Sequence, residues 1–190
     1  SGAIDKSIMN IKSAIDLQPD QVKYYVLLSE LENKVNRPQA AISALETAVT
    51  IVEKSPDENI SQNKKILRQQ STDHHFVLPF AWNPAAIYLR YAQLLYRVGN
   101  YLQALDNIER SLELDPGNIK TRFIAAEIAS ILLDYEKVNR ICQLPTLNDS
   151  KNCLAEFSSD DEENYWIAGI YGIQTEIALD QGKLLQAEKF

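Results

Sequence analysis

The feature that most constrains this chain is a pair of amphipathic segments over residues 85–116 that meet at a short polar turn. Apolar residues recur every three or four positions on both sides of Gly99-Asn100, which is the pattern of helices with one buried face. Small side chains, Ala92 and Ala104, stand where two helices would approach closely. Such a hairpin cannot bury its apolar stripe alone, so the pattern predicts further hairpins packed beside it.

The same register recurs elsewhere in the chain. The first amphipathic segment ends at Pro19 in the way that the 85–116 hairpin ends at Pro116, and this alignment places Tyr25 opposite Tyr88. The two prolines stand 97 positions apart, about 29 more than two periods of about 34 residues. We therefore expect an inserted segment directly before the 85–116 hairpin.

These hairpins resemble the tetratricopeptide repeat, a helix–turn–helix unit of about 34 residues. The resemblance rests on the small, large and turn residues of 85–116 and on their counterparts in 22–55 and 119–146. It implies an all-α fold, an α-α superhelix in which antiparallel helix pairs stack into a right-handed solenoid. It also implies a non-enzymatic scaffold that binds a peptide or a partner protein in its concave groove.

The register predicts a single domain over residues 1–190. Its predicted parts are a half-repeat helix (3–20), a repeat (22–55), an insert (56–84), a repeat (85–118), a repeat with an irregular loop to 160 (119–146) and an incomplete repeat (161–190). Pro38 is expected to begin a helix, because a first-turn residue needs no partner for its missing N–H. Glu32 is expected to face solvent or a partner. Because the chain begins with Ser1-Gly2 and no methionine, we expect it to be a fragment.

In the family, the first helix of each pair lines the groove, and this implies a set of partner-binding side chains. By resemblance they are Lys23, Leu27, Glu30, Leu89, Arg90, Gln93, Tyr96, Arg97, Lys120, Phe123 and Glu127. Val26 and Ile124 are expected on the same face. Tyr96 with Arg90 and Arg97 is the expected anchor group, since Tyr and Arg are enriched among residues that dominate binding.

Some family members grip the C-terminal carboxylate of a chaperone with a clamp of Lys and Asn side chains. Lys23 and Lys120 occupy suitable positions here, but Glu30 replaces the Asn and Ala86 replaces another Lys. The clamp is incomplete, so this specificity is not expected.

Composition argues against several classes of function. A net charge of −7 and a pI of about 4.9 provide no basic field for phosphate backbones, so no nucleic acid partner is expected. No apolar run approaches the roughly 18 residues that a membrane span needs. The sequence contains no nucleophile elbow, Gly-rich phosphate loop or metal-binding helix motif, so it predicts neither catalysis nor a cofactor.

Two groups of residues allow more than one interpretation. Asp73-His74-His75 could ligate a metal, but consecutive residues on an extended chain point to opposite sides, so polar loop residues are the favoured interpretation. Cys142 and Cys153 are either a core residue and an unrelated thiol or a disulfide, which would contribute about 3 kcal/mol. A disulfide would indicate an oxidising compartment, periplasmic or otherwise extracytoplasmic, and its absence leaves a cytoplasmic location open.

Three hypotheses for function remain at this point. The leading one is the interaction scaffold described above. A second makes the chain the soluble appendage of a larger membrane or envelope enzyme or assembly. A third has the insert itself bind a ligand or a metal. The sequence specifies neither the partner nor the oligomeric state.

Overall fold

The computed structural model describes residues 2–54, 83–143 and 161–182, which form α-helices joined by short turns. The helices are α1 (Gly2–Leu17), α2 (Val22–Lys34), α3 (Pro38–Lys54), α4 (Pro84–Arg97), α5 (Tyr101–Leu114), α6 (Ile119–Ile131), α7 (Tyr135–Ile141) and α8 (Asp161–Asp180). The chain divides into two compact units, unit 1 (residues 1–100) and unit 2 (residues 101–190). No strand occurs in the described ranges, and the prediction of an all-α chain is confirmed.

Three of the described helices end in the same kind of turn. After α4, the N–H of Gly99 donates to the carbonyl of Tyr96 at 3.0 Å and the N–H of Asn100 to that of Leu95 at 2.9 Å. This is the Schellman pattern, in which a left-handed residue closes the helix. Gly99 has a φ of 82°, and the corresponding residues after α2 and α6, Asn36 and Leu133, have φ of 59° and 58°.

Helix starts follow the local sequence as well. Asn83, Asn118 and Asp134 precede α4, α6 and α7, and each side-chain oxygen accepts a hydrogen bond of 3.0 Å from a backbone N–H of the first turn. Short polar side chains at this position satisfy donors that have no partner within the helix. Pro38 begins α3, as predicted.

Unit 1 is a layer of helices in which α2 packs against α1 and α3, and α3 packs against α4. Ala41 and Ala48 on α3 are fully buried, which lets neighbouring helices approach closely. Leu45 fills the space between them. The Tyr88 hydroxyl on α4 donates to Glu53 on α3 at 3.1 Å.

The expectation that Glu32 faces solvent or a partner is wrong. Glu32 is only 3% exposed. Its Oε1 lies 3.4 Å from Lys12 Nζ on α1, and its Oε2 lies 3.4 Å from Arg37 Nη1. Arg37 Nη2 in turn lies 3.6 Å from Asp5 on α1. A buried carboxylate is tolerated here because two cations reach it on long side chains.

Unit 2 is built around α6, which packs against α5, α7 and α8. Ala125, Ala126, Ile128 and Ala129 on α6 are fully buried. The start of this helix also carries Arg122, a guanidinium only 9% exposed. Its Nη1 donates to the carbonyl of Ile141 at 2.7 Å, and its Nη2 to that of Pro116 at 2.7 Å. These carbonyls lie at the end of α7 and just beyond α5, where the partial negative charge of helix C-termini favours a cation.

Candidate partner-binding site

In unit 1, the side chains predicted to bind a partner bring α2 and α4 together along one face. Arg90 on α4 forms an ion pair with Glu30 on α2. Two turns further along α4, the Nη1 of Arg97 donates to Asn33 Oδ1 on α2 at 3.1 Å. These two contacts show that α2 and α4, the first helices of two hairpins, present polar side chains to the same surface. We call this surface the α2–α4 face.

The two guanidiniums of the α2–α4 face differ in their electrostatics. Arg90 is partly buried, and burial lowers its pKa, although an arginine remains charged at neutral pH. Arg97 is exposed and is held by the neutral amide of Asn33. Among the described residues Arg97 has no carboxylate partner, so its charge is open to an acidic group on a bound molecule.

None of the eleven side chains predicted to bind a partner is buried. On α2 and α4, Arg97 is exposed and the others are partly exposed: Lys23, Leu27, Glu30, Leu89, Arg90, Gln93 and Tyr96. On α6, Lys120, Phe123 and Glu127 are partly exposed. The expectation for Val26 and Ile124 is wrong, because these residues are 2% and 8% exposed and belong to the core. Val26 precedes Leu27 by one position and Ile124 follows Phe123 by one position, and one position turns a side chain about 100° around a helix.

In unit 2, the corresponding residues of α6 pack against aromatic side chains of α8. The rings of Phe123 and Trp166 have centroids 5.2 Å apart and are tilted by 48°. Lys120 Nζ lies 5.3 Å from the centroid of the Trp166 ring. Tyr165, which is largely exposed, meets Trp166 edge-on at 5.0 Å. Aromatic and cation–π contacts of this kind each contribute about 1 kcal/mol. We call this surface the α6–α8 face.

The close approach of α8 to α6 depends on a glycine. A Cβ added at Gly169 would lie 2.4 Å from Cε2 of Phe123, a distance that no side chain tolerates without movement. The missing side chain lets the Phe123 ring lie against the backbone of α8 and beside Trp166. Local sequence patterns do not reveal this contact, because it joins residues that are distant along the chain.

Several predictions fall on residues outside the described ranges. They include residues 56–82 of the insert predicted over 56–84, Asp73-His74-His75 and Cys153. Cys142 is a buried thiol, and burial raises its pKa to about 11 while the nearby Arg122 acts to lower it. The Cys142–Cys153 disulfide stays a prediction.

The described part of the chain contains neither a cluster suited to a metal ion nor a helix suited to crossing a membrane. No group of three or more His, Cys, Asp or Glu in these ranges could hold a metal ion. Within the same ranges, no helix combines the length and the apolar character that crossing a membrane requires.

Comparison with known proteins yields one family match and several structural matches. Residues 85–118, which contain α4 and α5, match the family model described as tetratricopeptide repeat. No curated protein sequence matches the chain. Two crystal structures of a protein named MamA match with TM-scores of 0.63 and 14% identity, each over 99% of this chain and over 84% and 79% of theirs.

A third solved structure, from a functional characterisation of Pseudomonas aeruginosa PilF, matches over 99% of this chain and 81% of its own at 12% identity. Its TM-score of 0.40 is too low to support an argument. The MamA structures, at 14% identity, show a shared fold and nothing about a shared partner. Together with the family match, they confirm the predicted helical-repeat fold.

Proposed function

We propose that this chain, which is a tetratricopeptide repeat protein, binds a peptide or a partner protein through the exposed faces of the first helices of its hairpins. Proteins of this fold act generally as scaffolds for protein interactions, and no catalytic role is proposed. The finer proposal concerns which side chains make the contact.

The observation that carries this proposal is the arrangement of the α2–α4 face. Glu30 and Arg90 hold each other in place, and Asn33 holds Arg97, so the polar side chains are positioned before a partner arrives. Preorganised side chains lose less conformational entropy on binding. Leu27 and Leu89 are partly exposed on the same helices and supply apolar area. The surface thus combines apolar contact with an exposed cation, as protein interfaces do.

The proposal is tested with peptides selected against the protein from a random display library and measured by fluorescence anisotropy. Tyr96→Ala and Arg97→Glu are expected to weaken the binding of selected peptides by tenfold or more, which corresponds to about 1.4 kcal/mol. The loss reflects removal of an aromatic contact in one variant and reversal of an exposed charge in the other.

A matched control is Arg110→Glu, which reverses an exposed charge on α5, a helix that belongs to neither proposed face. Its affinity is expected to equal that of the wild type. Equal affinity of Arg97→Glu and the wild type would exclude the α2–α4 face as the contact. The α6–α8 face is tested separately with Tyr165→Ala, which removes an exposed aromatic ring without altering Phe123 or Lys120.

A further inference from the structure

A cleft in unit 2 is distinct from the partner-binding faces. It opens between α5 and α7, has a volume of about 400 Å³ and has part of Arg122 in its lining. Arg122 and Phe123 are neighbours on α6, so their side chains leave the helix about 100° apart. Phe123 meets α8, whereas Arg122 reaches the ends of α5 and α7. The cleft therefore lies on a different side of α6 from the α6–α8 face.

The charged groups of the cleft do not balance. Its lining includes Glu109 and Glu113 from α5, and Lys137 and Arg140 from α7, in addition to Arg122. Lys137 Nζ lies 3.1 Å from Glu109 Oε1, so these two charges satisfy each other.

Glu113 is likewise engaged, because Arg110 Nη1 lies 2.8 Å from its Oε2. Arg122 and Arg140 have no carboxylate partner among the described residues. Two guanidiniums therefore share one cleft without a counter-ion, in a chain whose net charge is −7.

Arg122 also has a donor without an acceptor. Its Nη atoms donate to the carbonyls of Pro116 and Ile141, and more weakly to that of Gln143 at 3.5 Å. Its Nε is buried and has no hydrogen-bond partner among the described residues. Buried donors are satisfied in nearly all native structures, so this orphan, on a side chain that lines the cleft, indicates a missing acceptor.

We propose that this cleft binds an oxyanion, a carboxylate or a phosphate group, which accepts hydrogen bonds from Arg122 and Arg140. Guanidinium groups are suited to this chemistry, because their planar N–H donors match the spacing of carboxylate and phosphate oxygens. The volume of about 400 Å³ is within the range of small-ligand sites.

The experiment titrates the full chain with inorganic phosphate and, separately, with succinate, while sodium chloride keeps the ionic strength constant. Two signals are followed: the melting temperature and the side-chain ¹H–¹⁵N resonance of Arg122 Nε, assigned by its loss in Arg122→Lys. At least one anion is expected to raise the melting temperature saturably and to shift the Nε resonance, because a ligand that binds the folded state stabilises it. The anion with the lower midpoint identifies the bound group as phosphate or carboxylate.

Two variants separate a site from general screening. Arg140→Gln removes the exposed guanidinium and is expected to raise the midpoint concentration about tenfold, the effect of losing one charge-assisted bond. Lys34→Gln removes an exposed positive charge in unit 1 and is expected to leave the midpoint unchanged. Equal midpoints for Arg140→Gln and wild type would overturn the proposal. So would a melting temperature that follows only ionic strength, or an unshifted Nε resonance, which is the result expected if water satisfies that donor.

Discussion

Unit 1 buries a carboxylate, Glu32 on α2, and unit 2 buries a guanidinium, Arg122 on α6, and the two charges are satisfied in different ways. The partners of Glu32 are Lys12 and Arg37, whose long side chains are more than half exposed. Arg122 instead donates to backbone carbonyls, which cannot move without moving α7 or the turn after α5. Glu32 therefore has adjustable partners, whereas Arg122 joins fixed backbone segments.

This difference explains how unit 2 stabilises α7, its shortest described helix. α7 is seven residues long, too short to be stable by itself. Arg122 binds the carbonyl of its last residue, and Lys137 bonds to Glu109 on α5. In unit 1, the corresponding helix α3 is 17 residues long and buries six apolar side chains. A short helix thus depends on specific polar contacts where a long one relies on apolar area.

The largest effect is expected for Arg122→Met. This change keeps an apolar stem but removes the donors to the Pro116 and Ile141 carbonyls, so the free energy of unfolding of unit 2 should fall by about 3 kcal/mol. Urea denaturation followed by hydrogen exchange in α5 to α7 measures it. A loss below about 1 kcal/mol would mean that desolvation of the cation costs as much as its hydrogen bonds contribute.

A pH titration of Cys142, which lies beside Arg122, is expected to give the second-largest effect. Its pKa in the folded protein, about 11, is higher than the ordinary thiol value of 9.0, because burial disfavours the thiolate. A raised pKa stabilises the folded state below about pH 9, and this contribution is lost as the pH rises towards 11.

The wild type should therefore lose about 2 kcal/mol more than Cys142→Ala between pH 8 and pH 11, at 1.36 kcal/mol per pKa unit. Urea denaturation of both proteins at each pH isolates this thiol from the Lys and Tyr groups that titrate in the same range. Parallel curves for the two proteins would contradict the prediction, and they are the result expected if Cys142 is bridged to Cys153.

Glu32→Gln tests how much the buried carboxylate of unit 1 contributes to stability. The substitution keeps the shape and a hydrogen-bond acceptor but removes the charge, and the cations it leaves behind are solvated. We expect the free energy of unfolding to fall by about 1 kcal/mol or less, as for pairs whose partners are exposed to water. Urea denaturation at low and high salt measures this change. A loss near 3 kcal/mol would show that Glu32 is held as rigidly as Arg122.

The sequence predicted the hairpins but neither buried charge, and the reason is physical. Helix boundaries such as Pro38 and the Gly99-Asn100 turn depend on neighbouring residues, so local patterns reveal them. Whether Glu32 or Arg122 is buried depends on which long side chains or carbonyls reach it from other helices. The helix face was misassigned at Val26, which lies in the core beside the partly exposed Leu27.

The smallest effect concerns the turns that close α2 in unit 1 and α6 in unit 2. Leu133 after α6 has the left-handed φ that Gly99 adopts after α4, and it is 68% exposed, so its side chain gains little burial in return for the strain. Leu133→Gly should therefore raise the free energy of unfolding of unit 2 by about 0.5–1 kcal/mol, after allowing for the flexibility of glycine in the unfolded chain.

The matched change in unit 1 is Asn36→Gly, for which a smaller gain is expected, because asparagine tolerates the left-handed region better than leucine does. Urea denaturation of both variants gives the comparison directly. A loss of stability in Leu133→Gly would show that the exposed leucine makes a contact worth more than the strain of its backbone. The strain at this turn would then be balanced within unit 2 in the same way as the buried charge of Arg122, by a contact that no local pattern reveals.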